Sequence, residues 1–150
     1  PDLRQGKFLF LEDVQDPGHV GTMIRTADAT GFTGVIVSDK SADVYSLKTL
    51  RSMQGSHFHL PIYRMPVATF VEGAKKSDLP ILATTLLRDS KDYRELSPLE
   101  NFVLVMGNEG QGISSVMAES ADQLVHIGMK GRAESLNVAV AAGILMFYFS

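Results

Sequence analysis

The sequence predicts an α/β fold: a parallel sheet flanked by helices. Two observations carry this. Short apolar runs recur along the chain, as at Lys7–Glu12 (KFLFLE), Gly34–Val37 (GVIV) and Phe102–Met106 (FVLVM), and read as buried strands. Between them lie segments whose apolar residues follow helical spacing, so strands and helices alternate. A strand, a helix and a second strand in that order imply a right-handed parallel crossover.

The elements follow in order. After the Lys7–Glu12 strand, Asp16 and Pro17 give a helix start, an N-cap followed by proline at the first helical position. Val20, Met23, Ile24 and Ala27 fall on one helical face, and Gly31 supplies the stop. Gly34–Val37 is the second strand. Leu47–Met53 reads as a short helix and His57–Ile62 as a strand edged by Pro61. Val67–Lys76 is a helix with Phe70, Val71 and Ala74 inward, followed by strands at Pro80–Thr84 and Phe102–Met106. The segment between those two strands, Arg88–Glu100, is too charged for core and reads as a polar loop. Ile113–Ser120 is a short helix, Gln123–Ile127 a strand and Ser135–Phe149 a closing helix.

The 150 residues fit one domain, and 45% hydrophobic content is enough for a sizeable core. No composition shift divides the chain. A net charge of −3 without basic runs argues against a strong stand-alone nucleic-acid binder. The absence of cysteine excludes a disulfide framework and a thiolate metal site, and fits the cytosol. The longest apolar stretch, Val138–Phe149, is too short to span a bilayer, and no secretory signal opens the chain. A start at Pro1 and an end inside a helical pattern suggest a domain excised from a longer protein.

In open parallel sheets ligands bind beyond the carboxyl ends of the strands. The polar and glycine-rich segments fall there, after Glu12, Thr84, Met106 and Ile127. Three segments stand out. In Leu11–Gly31, ordinary capping accounts for much, but not for Arg25 on a helix whose inner positions are small or apolar; a guanidinium there suits a phosphate or a hydroxyl. In Val105–Gly112 (VMGNEGQG), the glycines let backbone approach a ligand, or simply connect two elements. The spacing is not the dinucleotide fingerprint, and no Lys-Ser/Thr pair makes it a P-loop, which points away from nucleotide phosphates. In Val125–Val140, a loop with Gly128 and Gly131 leads to Ser135, a candidate cap for the closing helix, and to Asn137, read as buried and in need of partners. His57 and His59 are placed on one strand face, a poor metal site without a third ligand. Met146, Phe147, Tyr148 and Phe149 read as core or subunit interface.

Taken in this order, the three segments resemble the three signature motifs of the SpoU (TrmH-like) branch of the SPOUT methyltransferases. The first is similar to D-x-x-x-D-P-x-N-x-G-x-x-x-R-T-A, the second to a strand followed by G-N-E-G-x-G, and the third to I-P-M-x-G-x-x-x-S-L-N before an apolar helix. The likeness spans Phe8 to Phe149. It implies a C-terminal deep trefoil knot, a cytoplasmic homodimer with active sites near its interface, S-adenosylmethionine as cofactor without a metal, and transfer of methyl to a ribose 2′-hydroxyl of ribosomal or transfer RNA. An RNA-binding domain ahead of this one is the family's habit.

Carried over by position, the methyl-donor pocket involves Thr84, Thr85, Leu86, Met106, Gly107, Asn108, Gly110, Ile127, Met129, Ser135 and Leu136. The catalytic set is Arg25, Glu109, Ser135 and Asn137, with His19 at the place of the first motif's asparagine. Imidazole differs from an amide in shape and charge and titrates near neutrality. Gly128 stands where the family usually carries proline, which is expected to loosen the cofactor loop. The rival readings are a non-catalytic, S-adenosylmethionine-binding assembly factor for RNA, which has only the His19 departure behind it, and a generic dinucleotide-binding domain.

Overall fold

A computed structural model describes residues 2–87 and 89–150; Pro1, and Arg88 at the head of the expected polar loop, lie outside the described residues. The strand Lys7–Leu11 (β1) and the strand Phe102–Met106 (β6) lie side by side in the middle of the sheet, in parallel register from Lys7↔Phe102 to Leu11↔Met106. Between them in sequence come helix α1 (Pro17–Ala29), strand β2 (Gly34–Val37), helix α2 (Leu47–Met53), strand β3 (Ile62–Arg64), helix α3 (Val67–Lys76), strand β4 (Ile81–Thr84) and the two-residue strand β5 (Lys91–Asp92). Helix α4 (Ser115–Ser120), strand β7 (Gln123–His126) and helix α5 (Val138–Phe149) complete the chain. The seven strands are ordered β3-β2-β1-β6-β4-β7-β5, and every pair is parallel.

Continuous apolar strands are needed because both faces are covered. Leu9 and Leu11 of β1 join Leu104 and Met106 under α1 and α5, where Val20, Met23, Ile24, Leu145 and Phe149 are buried. The alternate residues, Phe8, Phe10, Val103 and Val105, face α3 and α4 with Phe70, Ala74 and Met117. Phe10 and Phe70 stack with centroids 4.2 Å apart. The same alternation through every central strand makes two cores of one sheet.

Several boundaries differ from expectation. His57–Ile62 is not a strand: Ser56–Phe58 forms a 3₁₀ turn, and β3 begins only at Ile62. Gln54 and Gly55 both adopt left-handed backbone (φ 53° and 85°), which bends the chain before pairing can start. His57 and His59 therefore share no strand face; His59 Nδ1 meets Asp28 Oδ2 at 3.0 Å instead. The expected polar loop contains β5 and a 3₁₀ turn, Tyr93–Glu95, with Tyr93 packed edge-on against Tyr148 at 4.9 Å. The closing helix starts at Val138, capped by Asn137 and not by Ser135.

Candidate functional site

The parallel sheet brings the loops after β1, β4, β6 and β7 to one edge. Here the chain order switches sides, since β1 leads toward β2 and β3 whereas β4, β5 and β7 lie beyond β6. Glu12 N–H donates to the Met106 carbonyl at 2.8 Å, extending the β1–β6 ladder by one bond into the site. The Glu12 carboxylate is buried and takes the Ser114 N–H at 2.8 Å and the Ser114 hydroxyl at 2.6 Å. Sequence reasoning missed this tie; its one signal is an acid closing an otherwise apolar strand.

The loop after β6 folds on itself. Asn108 and Gly112 exchange backbone hydrogen bonds at 3.1 and 2.9 Å. A Cβ at Gly107 would meet the carbonyl carbon of Gly112 at 2.3 Å, and Gly112 has φ 71°, so these two glycines serve the loop itself. Gly110 has open space beside it apart from Asn108 Oδ1 at 3.7 Å and faces the cavity. The Asn108 amide donates to the Asp13 carbonyl at 2.8 Å and accepts from the Gly110 and Gln111 amides, pinning this loop to the one after β1.

Glu109 is the hub. Its carboxylate accepts the Gln15 N–H at 3.1 Å and the Asp16 N–H at 2.8 Å, and lies 3.2 Å from His19 Nδ1. Burial pushes its carboxyl upward, but the amides of Asp16 and Gln15, its own N–H and His19 together outweigh burial and hold it below the usual glutamate value. Asp16 caps α1 through the Gly18 and His19 amides, which places His19 in the helix's first turn. On its other side, His19 Nε2 lies 3.1 Å from the Asn137 side-chain nitrogen. Asn137 is exposed, not buried, and meets its polar needs by capping α5 at Ala139 and Val140. One side chain from each of the three sequence segments thus joins in a single chain, Glu109–His19–Asn137.

Beside this chain lies a cavity of about 640 Å³, within the size range of small-molecule sites. Every residue expected for the methyl-donor pocket lines it: Thr84, Thr85, Leu86, Met106, Gly107, Asn108, Gly110, Ile127, Met129, Ser135 and Leu136. Glu109 lines it too, as do Glu134 and His126, which the sequence reading did not single out. Among the described residues, no lysine or arginine does. His19, Arg25 and Asn137 lie outside the lining. Arg25 is exposed on α1, six residues beyond His19 and so about 9 Å along the axis.

The expected loosening at Gly128 is not seen. Its N–H, which proline would lack, donates to Asp92 Oδ2 at 3.0 Å. Asp92 is held far below the ordinary aspartate range, chiefly by the Arg94 guanidinium and then by the Arg94 and Gly128 amides. The loop after β7 is tied to β5 there. Among the described residues, no group of three or more His, Asp or Glu is arranged to hold a metal, and no helix is long and apolar enough to cross a membrane.

A seven-stranded parallel sheet with a folded-back glycine loop, and a cavity at the switch point that no lysine or arginine lines among the described residues, defines an α/β ligand-binding domain. The chain belongs to the SpoU rRNA methylase family, whose model matches residues 6–147. It is 44% identical over 142 residues to the 23S rRNA (guanosine(2553)-2′-O)-methyltransferase RlmP of Bacillus subtilis, covering 95% of this chain and 57% of that one. The AdoMet-bound rRNA methyltransferase of Sinorhizobium meliloti superposes with a TM-score of 0.92 at 39% identity, over 99% of this chain and 59% of that one. The SpoU methyltransferase AviRb of Streptomyces viridochromogenes gives 0.88 at 32% identity, over 95% and 57%. The chain therefore spans little more than half the length of these relatives.

Proposed function

We propose that this chain is the S-adenosylmethionine-binding, methyl-transferring domain of an RNA ribose 2′-O-methyltransferase. The observation that carries the reading is the cavity, built from the loops after β4, β6 and β7 and flanked by Glu109, His19 and Asn137. Its chemistry fits the cofactor. Among the described residues, two carboxylates, Glu109 and Glu134, and no lysine or arginine line it, which suits a sulfonium better than a pyrophosphate. Leu86, Met106, Ile127, Met129 and Leu136 offer apolar surface, with Thr84, Thr85 and Ser135 as polar contacts. These residues would hold S-adenosylmethionine, which when bound supplies a methyl group made electrophilic by its sulfonium.

The chain's own residues do the aligning. Positioning two reactants is worth about 7–11 kcal/mol, and a methyl transfer needs little else. Glu109 is ionised and already engaged by two backbone amides and His19, so it holds the loops after β1 and β6 together and is a weak proton acceptor. Arg25 offers a planar guanidinium with donors only and no proton acceptor. It grips an RNA phosphate and steadies alkoxide charge developing on the 2′-oxygen. Its distance from the cavity is for the substrate to bridge. Ser135 and Asn137 set the segment leading into α5.

The same reading makes the protein a cytoplasmic homodimer, with Phe147 (63% exposed) and Val140 (53%) of α5 as apolar surface for a second copy. It takes ribosomal RNA, the substrate class of the Bacillus subtilis relative, as substrate ahead of transfer RNA. It leaves RNA selection to a further domain, in keeping with the share of the relatives' length that lies outside the match. The deep trefoil knot belongs to the reading as well. β7 sits between β4 and β5 although it follows both in sequence, the placement a C-terminal segment needs if it threads the loop of chain joining them.

Calorimetric titration with S-adenosylmethionine, S-adenosylhomocysteine and NAD tests the pocket, with turnover of labelled methyl onto RNA alongside. Saturable binding of the first two, together with label in RNA, is expected. Binding without turnover favours the assembly-factor reading, and binding of NAD alone overturns both.

A further inference from the structure

His19 has both ring nitrogens engaged, and its neighbours decide which of them carries the proton. Asn137 Oδ1 accepts the Ala139 N–H at 2.8 Å and the Val140 N–H at 3.3 Å. Turning that amide over would set its NH₂ against two backbone donors, so the orientation is fixed. The Asn137 NH₂ therefore faces His19 Nε2, at 3.1 Å, and Nε2 must accept. The proton then lies on Nδ1, directed at Glu109 Oε2, a pure acceptor, at 3.2 Å. While both contacts hold, neither nitrogen is left to take a proton from a substrate.

We propose that His19 is a positioning residue locked as the neutral Nδ1–H tautomer, a strut that ties the Glu109 loop to the cap of α5 and releases the cap on protonation. An imidazolium has two N–H donors. The second would point at the Asn137 NH₂, which cannot invert without uncapping α5, so the two side chains separate. The Nδ1–H bond to Glu109 persists and becomes an ion pair. The first and second sequence segments stay joined while the third is freed, and the third carries Ser135 and Leu136 of the cavity wall.

The groups around the ring fit this division. Glu109 comes from the loop after β6 and uncharged Asn137 from α5. Asp16 accepts the His19 backbone N–H at 3.1 Å from the helix's own start. On α2, Lys48 Cε lies 4.0 Å from where a Gly18 Cβ would be. The His19 side chain is 26% exposed, so solvent can deliver the proton. An asparagine at this position would have no such response.

The test is ¹⁵N NMR of the ring nitrogens in the whole chain, with the four histidines separated by comparison with His19→Asn. On the alkaline side of its titration, His19 should show a proton on Nδ1 and a pyridine-type Nε2. A proton on Nε2, or an average of both tautomers, overturns the proposal. Asn137→Asp keeps the capping oxygen and turns the group facing Nε2 into an acceptor. The His19 midpoint should then rise by about one unit or more, a tenfold gain in proton affinity; an unchanged midpoint overturns the contact. These readouts need neither cofactor nor RNA, so they stand or fall apart from the methyl-transfer reading. The consequence for the cavity rests on that reading: affinity for S-adenosylmethionine should weaken as His19 takes up its second proton, and weaken less over the same pH range in His19→Asn. Equal pH dependence in both proteins would sever the strut from the cavity.

Discussion

Arg25 and Glu109 are both charged, and the structure gives them opposite employment. Glu109 is committed to protein groups, whereas Arg25 makes no hydrogen bond or ion pair among the described residues and is available to a substrate. Arg25→Lys should therefore fold normally and lose turnover by roughly 10²-fold, because a point charge replaces a fork only in charge. Single-turnover rates with saturating RNA measure this, and a rate near wild type would remove Arg25 from the reaction. Glu109→Gln should act on the protein instead. An amide can accept with one atom only, so its NH₂ would confront either the Gln15 or the Asp16 N–H. A buried donor left without an acceptor costs about 1–3 kcal/mol, and partial exposure here places the loss toward the lower end. Urea unfolding of the two variants side by side should show the loss in Glu109→Gln and none in Arg25→Lys.

At the scale of elements, the tightest constraint is where α1 crosses α2. A Cβ at Gly21 would lie 2.4 Å from Ser52 Cβ and 2.6 Å from the Thr49 carbonyl oxygen. Gly21→Ala should accordingly destabilise by about 1–3 kcal/mol despite alanine's better helix propensity, and thermal melts give the sign directly. Gly128→Pro should loosen what Gly128 ties: it removes the N–H to Asp92 and brings ring atoms where even a Cβ would meet Asp92 Oδ2 at 2.5 Å. Weaker cofactor binding with little change in melting temperature is expected. These contacts also mark where the sequence stopped being readable. The apolar runs announced β1, β2, β4 and β6 because burial on both faces is written in composition. Periodicity likewise gave α1 and α3. β5 was hidden because a two-residue edge strand made of Lys91 and Asp92 has no apolar signal, and His57–Ile62 misled because β-compatible residues there follow a left-handed pair at Gln54 and Gly55. The cavity lining was legible only through motif resemblance. The tie of Glu12 to Ser114 and that of Asp92 to Gly128 span 102 and 36 residues, and nothing local encodes them.

For the whole molecule, carboxylates acting as structural acceptors make a statement about acid. Asp16 is lowered chiefly by the His19 amide, Asp28 by the His59 side chain, Asp92 by Arg94, and Glu109 by backbone amides against the pull of burial. All four shifts run downward, so the folded chain binds these protons less readily than the unfolded chain. Their contribution is fully present above the ordinary carboxylate values, 3.8 for aspartate and 4.5 for glutamate. It is lost as pH falls through the lower folded values. Melting temperature should consequently stay level in these terms between pH 7 and pH 5 and drop steeply below about pH 4. The partners differ in their response to salt. Asp28 and Asp92 pair with side chains at an exposed surface, where added salt screens the attraction. Asp16 and Glu109 accept from fixed backbone amides, and their share should survive high ionic strength. Melts at pH 3.5 and pH 7, each at low and at molar salt, separate the two classes. If molar salt abolishes the acid sensitivity, the backbone-bound carboxylates are not what holds the loops after β1 and β6 together, and Glu109 loses its place as the hub of the site. If most of the sensitivity remains, the same acceptors that shape the cavity also set the acid limit of the fold.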